Sequence, residues 1–223
     1  HHQVVSAQKL RDVEVSYANG RNVMFGSHGS YTQITIEDSD FHHSGVWGIS
    51  VDGPTSGLPI KNSNFTDNGA LDPSHGYGLD IGNGGISNVV VEDSKFLRNT
   101  NNGINITDTT NARFTRIEAS DNKGFAGQGH GVNIWEWRDK SSNILFEDSI
   151  FANNARCGLV LGTQDTYSID NVTIRSSQLI NNGEGGVIIW TTGGPVSNLK
   201  VNHNRIAGNT GYGLYSNQPT VIS

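Results

Sequence analysis

The stretch Ser87-Asn88-Val89-Val90-Val91-Glu92-Asp93-Ser94-Lys95-Phe96-Leu97-Arg98-Asn99-Thr100-Asn101-Asn102-Gly103-Ile104-Asn105-Ile106-Thr107 decides the fold. Val89 to Val91 reads as one short strand and Ser94 to Phe96 as a second. After a turn at Asn99, Gly103 to Thr107 reads as a third. Apolar residues alternate with polar ones inside each piece, helical spacing is absent, and Gly, Asn, Asp and Ser punctuate every few residues. Strands that follow one another by coiling rather than by hairpins must stack in parallel, each on its counterpart one coil away.

The same phrase returns seven times. Asn68, Asn99, Asn122, Asn154, Asn182 and Asn209 occupy one column, with Ser44 in the first copy. Three residues upstream lies an apolar column: Phe41, Phe65, Phe96, Ala119, Phe151, Leu179 and Ile206. A recurrence of about 23 to 32 residues signals a solenoid, whose coils cannot bury their apolar faces alone. The expected fold is all-β, a right-handed parallel β-helix of about seven to eight coils. The Asn column should form an internal ladder, amide on amide at roughly 4.8 Å, with a structural role.

The repeat runs without a linker, so residues 1–223 are expected to form a single domain. Neither end offers a clear cap for an open solenoid, which suggests a fragment of a longer chain. His1 and His2 read as tag remnants. The 34% apolar content and 28 glycines suit a thin core with many tight turns. A net charge of -6 argues against nucleic acid or an acidic membrane as partner. No apolar run approaches the roughly 20 residues of a membrane span. The lone Cys157 excludes an internal disulfide and reads as a small apolar packing residue.

In the strand after the Asn turn, apolar residues at the first and third places after Gly point inward, so the second and fourth point out. The outward set begins Ser50, Asp80, Asn105, Asn133 and continues as Val160 and Ile188. Asp52, Thr107, Trp135 and Trp190 stand two places on, and Trp47, Tyr77, Asn102 and His130 precede the Gly. Polar and aromatic residues crowded on one sheet, beside the long inserts 69–76, 123–129 and 135–142, predict a binding groove.

Two constellations carry candidate chemistry. Asp72-Pro-Ser-His75-Gly-Tyr77-Gly-Leu-Asp80 brings imidazole, phenol and two carboxylates within nine residues, enough for an acid and a base. His130-Gly-Val-Asn133-Ile-Trp135-Glu136-Trp137-Arg138 offers two tryptophans for a sugar face and an Arg for a carboxylate. His130 should lie about 10 Å from Tyr77 along the stack, far enough apart to flank one or two sugars. No cofactor is required. Calcium is the one ion the sequence suggests, through Asp52, Asp80 and Asp108 on successive coils.

Tyr77-Gly78-Leu79-Asp80 resembles the Tyr-Gly-Phe-Asp-Pro-His motif of the mannuronan C5-epimerases, β-helix enzymes that modify alginate. His130-Gly131-Val132-Asn133 is similar to the His-Gly-Phe-Asn strand which that family carries two coils later. The resemblance implies Tyr77 as catalytic phenol, Asp80 beside the substrate carboxylate and His130 lining the groove. Ile81-Gly82 stand in place of Pro-His, so His75 would supply the imidazole from the preceding loop, and the previous coil's strand shows Ser50 and Asp52 instead of the family's Lys. Gly129-His130-Gly131 is also similar to the polygalacturonase-like hydrolases, but Tyr77 and Asn101-Asn102 stand where their acids belong.

The sequence therefore leads to a secreted or cell-surface protein acting on a uronate polymer, such as alginate or pectin, by lyase or C5-epimerase chemistry. Tyr77, Asp80, His75 and His130 are the catalytic candidates. Asn105, Asn133, Trp135, Glu136, Trp137, Arg138 and Asp52 are the candidates for binding substrate. The alternatives are a β-helix hydrolase using Asp80, Asp52, Asp108 or Glu136, and a non-catalytic glycan-binding surface protein.

Overall fold

The computed structural model describes residues 3–5, 7–125 and 127–219. Its strands form three long parallel sheets and one two-stranded sheet, and successive coils add strands to each of the long three in turn. The coil read above supplies Ile86–Glu92 to the first sheet, Lys95–Leu97 to the second and Ile104–Ile106 to the third. The third sheet stacks eight strands: Val23–Phe25, Ile49–Val51, Leu79–Ile81, Ile104–Ile106, Val132–Glu136, Cys157–Thr163, Gly185–Thr191 and Tyr212–Ser216. The molecule is thus a solenoid of about eight coils, as the repeat predicts.

The corners have a local cause. Asp93 and Arg98 flank the second-sheet strand with φ of 52° and 55°, and their counterparts Asp67, Asp121, Asn153 and Asn181 are likewise left-handed. Asx side chains tolerate that conformation, which explains their density at these corners. The kink at Arg98 turns Asn99 inward, and the same holds along the column. Asn68 Nδ2 donates to Asn99 Oδ1 at 3.0 Å, Asn99 to Asn122 at 3.2 Å, Asn122 to Asn154 at 2.9 Å, Asn154 to Asn182 at 3.0 Å and Asn182 to Asn209 at 2.9 Å. Each amide also donates to a backbone carbonyl of the preceding coil, as Asn122 does to Phe96. Ser44 ends the row by donating to Asn68 Oδ1. The expected Asn ladder is therefore present, buried from Asn68 to Asn182 with both amide donors of each satisfied, and closed by a half-buried Asn209 that donates to the Leu179 carbonyl.

A second ladder, unforeseen from the sequence, runs at the neighbouring corner. The Ser63, Ser94, Ser149 and Ser177 hydroxyls accept the amides of Ser39, Ser63, Ile117 and Ser149. Between the ladders the core stacks apolar side chains coil on coil, with runs of phenylalanine among them. Phe41, Phe65 and Phe96 lie face to face with centroids 5.4 and 4.8 Å apart, and Phe114 and Phe146 at 4.8 Å. Such a scaffold fixes the outward residues of the third sheet at one-coil intervals.

Candidate active site

The outward column of the third sheet is Ser50, Asp80, Asn105, Asn133, Val160 and Ile188, in direct register. Its polar part is bonded into a row. Asn133 Nδ2 donates to Asn105 Oδ1 at 2.7 Å, and Asn105 Nδ2 donates to Asp80 Oδ1 at 2.8 Å. Val160 cannot continue the row, so the surface changes from polar to apolar at that rung.

Three adjoining hollows lie along this face, of about 280, 250 and 380 Å³. The first is lined by Arg21, Trp47, Asp52, His75, Tyr77, Asp80 and Asn105. The second holds Thr107, Asn133, Trp135 and Trp137, and the third holds His130, Val160, Ile188 and Trp190. Tyr77 and Trp137 wall the first two hollows; Asn133 and Trp135 wall the last two. Together they form one groove.

His75 reaches the first hollow from a single 3₁₀ turn, Pro73–His75. Asp72 caps that turn by accepting from the Ser74 amide at 3.1 Å, and Pro73 occupies its first position, where a missing N–H costs nothing. The other Asp72 oxygen lies 2.9 Å from His75 Nδ1. Hydrogen bonds from Ser74 and His75 hold the Asp72 carboxyl below its usual range, so it is ionised and His75 Nδ1 donates to it. That leaves Nε2 of a neutral His75 with the lone pair of a base. Its ring stands edge-on to Trp47 and Tyr77, with centroids 5.4 and 6.5 Å away.

Tyr77 and Asp80 are both pushed toward their protonated forms. Burial, with Asp80 and Asp72 nearby, raises the Tyr77 phenol to about 12. Asp80 is 7% exposed, and burial raises its carboxyl to about 6 against the Asn105 hydrogen bond that lowers it. Tyr77 is thus an acid rather than a resting base. Asp80 can offer a proton to an acceptor oxygen in weakly acidic solution.

Arg21 was not anticipated. It occupies the column of Trp47, Tyr77, Asn102 and His130, as the rungs Asn22 to Trp47, Gly48 to Tyr77, Gly78 to Asn102 and Gly103 to His130 show. Its guanidinium sits 3.7 Å from the Trp47 ring centroid. Arg21 Nε and Trp47 Nε1 are buried donors with no hydrogen-bond partner among the described residues. Both residues line the first hollow, where the Arg21 guanidinium supplies a positive charge that suits an anionic ligand. The missing signal was the Gly: Arg21-Asn22-Val23-Met24-Phe25 matches Trp47-Gly48-Ile49-Ser50-Val51 in register, but Asn22 hides it.

The other expectations divide. Asp52 lines the first hollow, held by the Ser50 hydroxyl at 2.7 Å. His130 lines the third but is 6% exposed, and its Nδ1 accepts the Cys157 amide at 3.3 Å. Burial and nearby Arg156 push it down to about 3, so it is a neutral ring whose proton sits on Nε2, a donor and not a base. Glu136 does not line the groove. Strand alternation, which sends Trp135 out, turns Glu136 inward to full burial. There it accepts from the Ser141 hydroxyl and from the Asp108 amide at 3.1 Å. Asp108 is buried with it, so neither acid can meet a polymer. Arg138 is exposed and lies 4.0 Å over the Trp137 ring, outside the groove lining. Cys157 is buried, its thiol pushed up to about 12 by burial, and inert as expected.

Among the described residues no three His, Cys, Asp or Glu side chains gather to hold a metal ion. Among them, too, no helix is long and apolar enough to cross a membrane.

A profile of the family described as right handed beta helix region matches residues 4–222. The chain belongs to that right-handed β-helix family. Among solved structures, the pectate lyase Pel9A is 18% identical with a TM-score of 0.55, over 90% of this chain and 55% of the lyase. The chain thus spans little more than half of that enzyme. The A-module of the Azotobacter vinelandii mannuronan C-5 epimerase AlgE4 is 15% identical with a TM-score of 0.43, over 99% of this chain and 80% of the module. No curated protein matches the chain. At 18% identity the feature shared with the lyase is the β-helix itself.

Proposed function

We propose that this β-helix protein is secreted or displayed at a cell surface and acts on a uronate polymer by abstracting the C5 proton. The observation that carries the reading is the first hollow. It sets an Asp72-held imidazole beside a protonated phenol, with the Arg21 guanidinium in the same wall to suit a carboxylate. In this reading the sugar carboxylate meets the Arg21 guanidinium and protonated Asp80. His75 Nε2 takes the C5 proton, and the carbon's electron pair passes into the carboxylate, where Arg21 and Asp80 stabilise it. Tyr77 Oη then gives its proton up. Delivered to the opposite face of C5, it inverts that centre; delivered to the departing O4, it completes elimination with a C4=C5 double bond. Both outcomes use the same acid and base. No cofactor enters either step.

A pectate lyase shares the fold, which fits the reading without deciding it. The test is incubation with alginate and pectate, following the absorbance of unsaturated uronate and the proton NMR signals of inverted residues. Product from one polymer, abolished in Tyr77→Phe, is expected. Reducing ends without unsaturation would instead favour hydrolysis by Asp80 and Asp52. Intact polymer retained equally by the protein and by Tyr77→Phe would favour a binding protein.

A further inference from the structure

The third hollow differs from the first in charge and in floor. Arg156 lies in its wall, but its Nε donates to Glu184 at 2.6 Å and its Nη1 to the Gly127 carbonyl at 2.7 Å. The charge there is already compensated, whereas Arg21 in the first hollow keeps an unfilled donor. The floor is Val160 and Ile188, outward-facing aliphatic side chains that pack with Cys157 into an apolar cluster separate from the main core. Trp135 lies flat along the strand beside it: a Cβ on Gly162 would come within 2.0 Å of its ring. Trp190 stands one rung beyond Gly162 in the same column.

Above this floor are two neutral donors. His130 presents Nε2–H, since its Nδ1 is occupied. Gln128 Oε1 accepts from Asn102 Nδ2 at 3.1 Å, which leaves the Gln128 amide NH₂ to donate. An uncharged carbonyl carrying a methyl group matches this set. Its oxygen would take the two donors, its methyl would rest on Val160 and Ile188, and its sugar ring would stack on Trp135. A bare carboxylate would find no free positive charge and would have to shed its water over an apolar floor.

We infer that the third hollow is a subsite for an esterified sugar unit, either a methyl-esterified uronate or an O-acetylated sugar, so that the polymer taken by the groove is partly esterified. The inference rests on the proposed reading only in having the polymer lie along the groove; binding does not require turnover.

The test is calorimetric titration of Tyr77→Phe with trigalacturonate and with the same trimer bearing one methyl ester, and of mannuronate trimers with and without one O-acetyl group. An ester preference of roughly tenfold is expected in at least one pair, and the pair that shows it identifies the ester. The preference should fall to near unity in Ile188→Asn and, as a variant that leaves the floor intact, weaken in Gly162→Ala, which displaces Trp135. Equal or tighter binding of both unesterified trimers overturns the subsite, as does an unchanged preference in Ile188→Asn with its fold confirmed by circular dichroism. The two readings fail separately. Ester preference without product from any uronate polymer keeps the subsite and removes the C5 chemistry. Turnover without ester preference does the reverse.

Discussion

Nδ1 of His75 lies 2.9 Å from a carboxylate oxygen of Asp72, across one 3₁₀ turn that the same carboxylate caps. One side chain therefore both builds the turn and fixes which imidazole nitrogen is free. Asp72→Asn would keep the cap but lose the charge that holds the proton on Nδ1. The expected result is a loss of kcat of about 10²-fold or more, the scale of a general-base contribution, with KM little changed. Steady-state kinetics on the responsive polymer would check it, and an unaltered kcat would remove His75 as the base.

Arg21→Ala tests carboxylate recognition. A charge-assisted hydrogen bond is worth about 1.5–3 kcal/mol, so uronate oligomers should bind roughly 10- to 100-fold more weakly. Titration at two salt concentrations would read it, because the wild-type protein alone should lose affinity as salt rises.

Asp80 sets an alkaline limit. Its carboxyl, raised to about 6 by burial, is protonated in weak acid and ionised above that. If the protonated form donates to the substrate, turnover should decline as pH rises through about 6. Asp80→Asn keeps a neutral donor and should remove that limb. A pH profile of kcat/KM for both proteins decides, and an identical limb in each would assign it to another group.

Glu136 predicts a stability effect instead. Burial raises its carboxyl from 4.5 to about 7. Between those values the unfolded chain has released a proton that the folded protein still holds, so stability falls as pH rises through that window. Chemical denaturation from pH 4 to 8 should show the fall, and Glu136→Gln should flatten it. Asp108, also raised by burial beside Glu136, would leave a residual slope.

Asn122→Ala tests the ladder. The Asn122 oxygen accepts the Asn99 amide and the Asn99 side chain, while its NH₂ serves the Phe96 carbonyl and Asn154. Removal leaves several buried groups unpaired at about 1–3 kcal/mol each, and a loss of about 3 kcal/mol or more is expected from urea unfolding. A loss under about 0.5 kcal/mol would show that water fills the gap.

The fold was legible because each coil repeats its own corner chemistry. Asn99 with Phe96 three residues before it suffices to set the register, and the register alone places Asp80, Asn105 and Asn133 on one outer row. Arg21 escaped because its coil lacks the Gly that marks the others. The serine ladder escaped although Glu92-Asp93-Ser94 and Glu147-Asp148-Ser149 repeat its phrase. Glu136 went the wrong way because reading it with its tryptophan neighbours ignored the period of two. Arg138 follows the end of the Val132–Glu136 strand, where alternation no longer dictates direction. The state of His130 lay beyond the sequence, since it depends on a Cys157 amide one coil away.

The buried Asn row and the outer row of amides point in opposite senses. Asn68 donates toward Asn99 and so on toward later coils, whereas Asn133 donates to Asn105 and Asn105 to Asp80, toward earlier ones. Aligned amides polarise one another, so the outer row delivers its positive ends onto the Asp80 carboxyl and shows its carbonyl end toward Val160. The groove consequently has a reading direction. A polar chain laid along it in one sense meets a different electrical landscape from the same chain reversed.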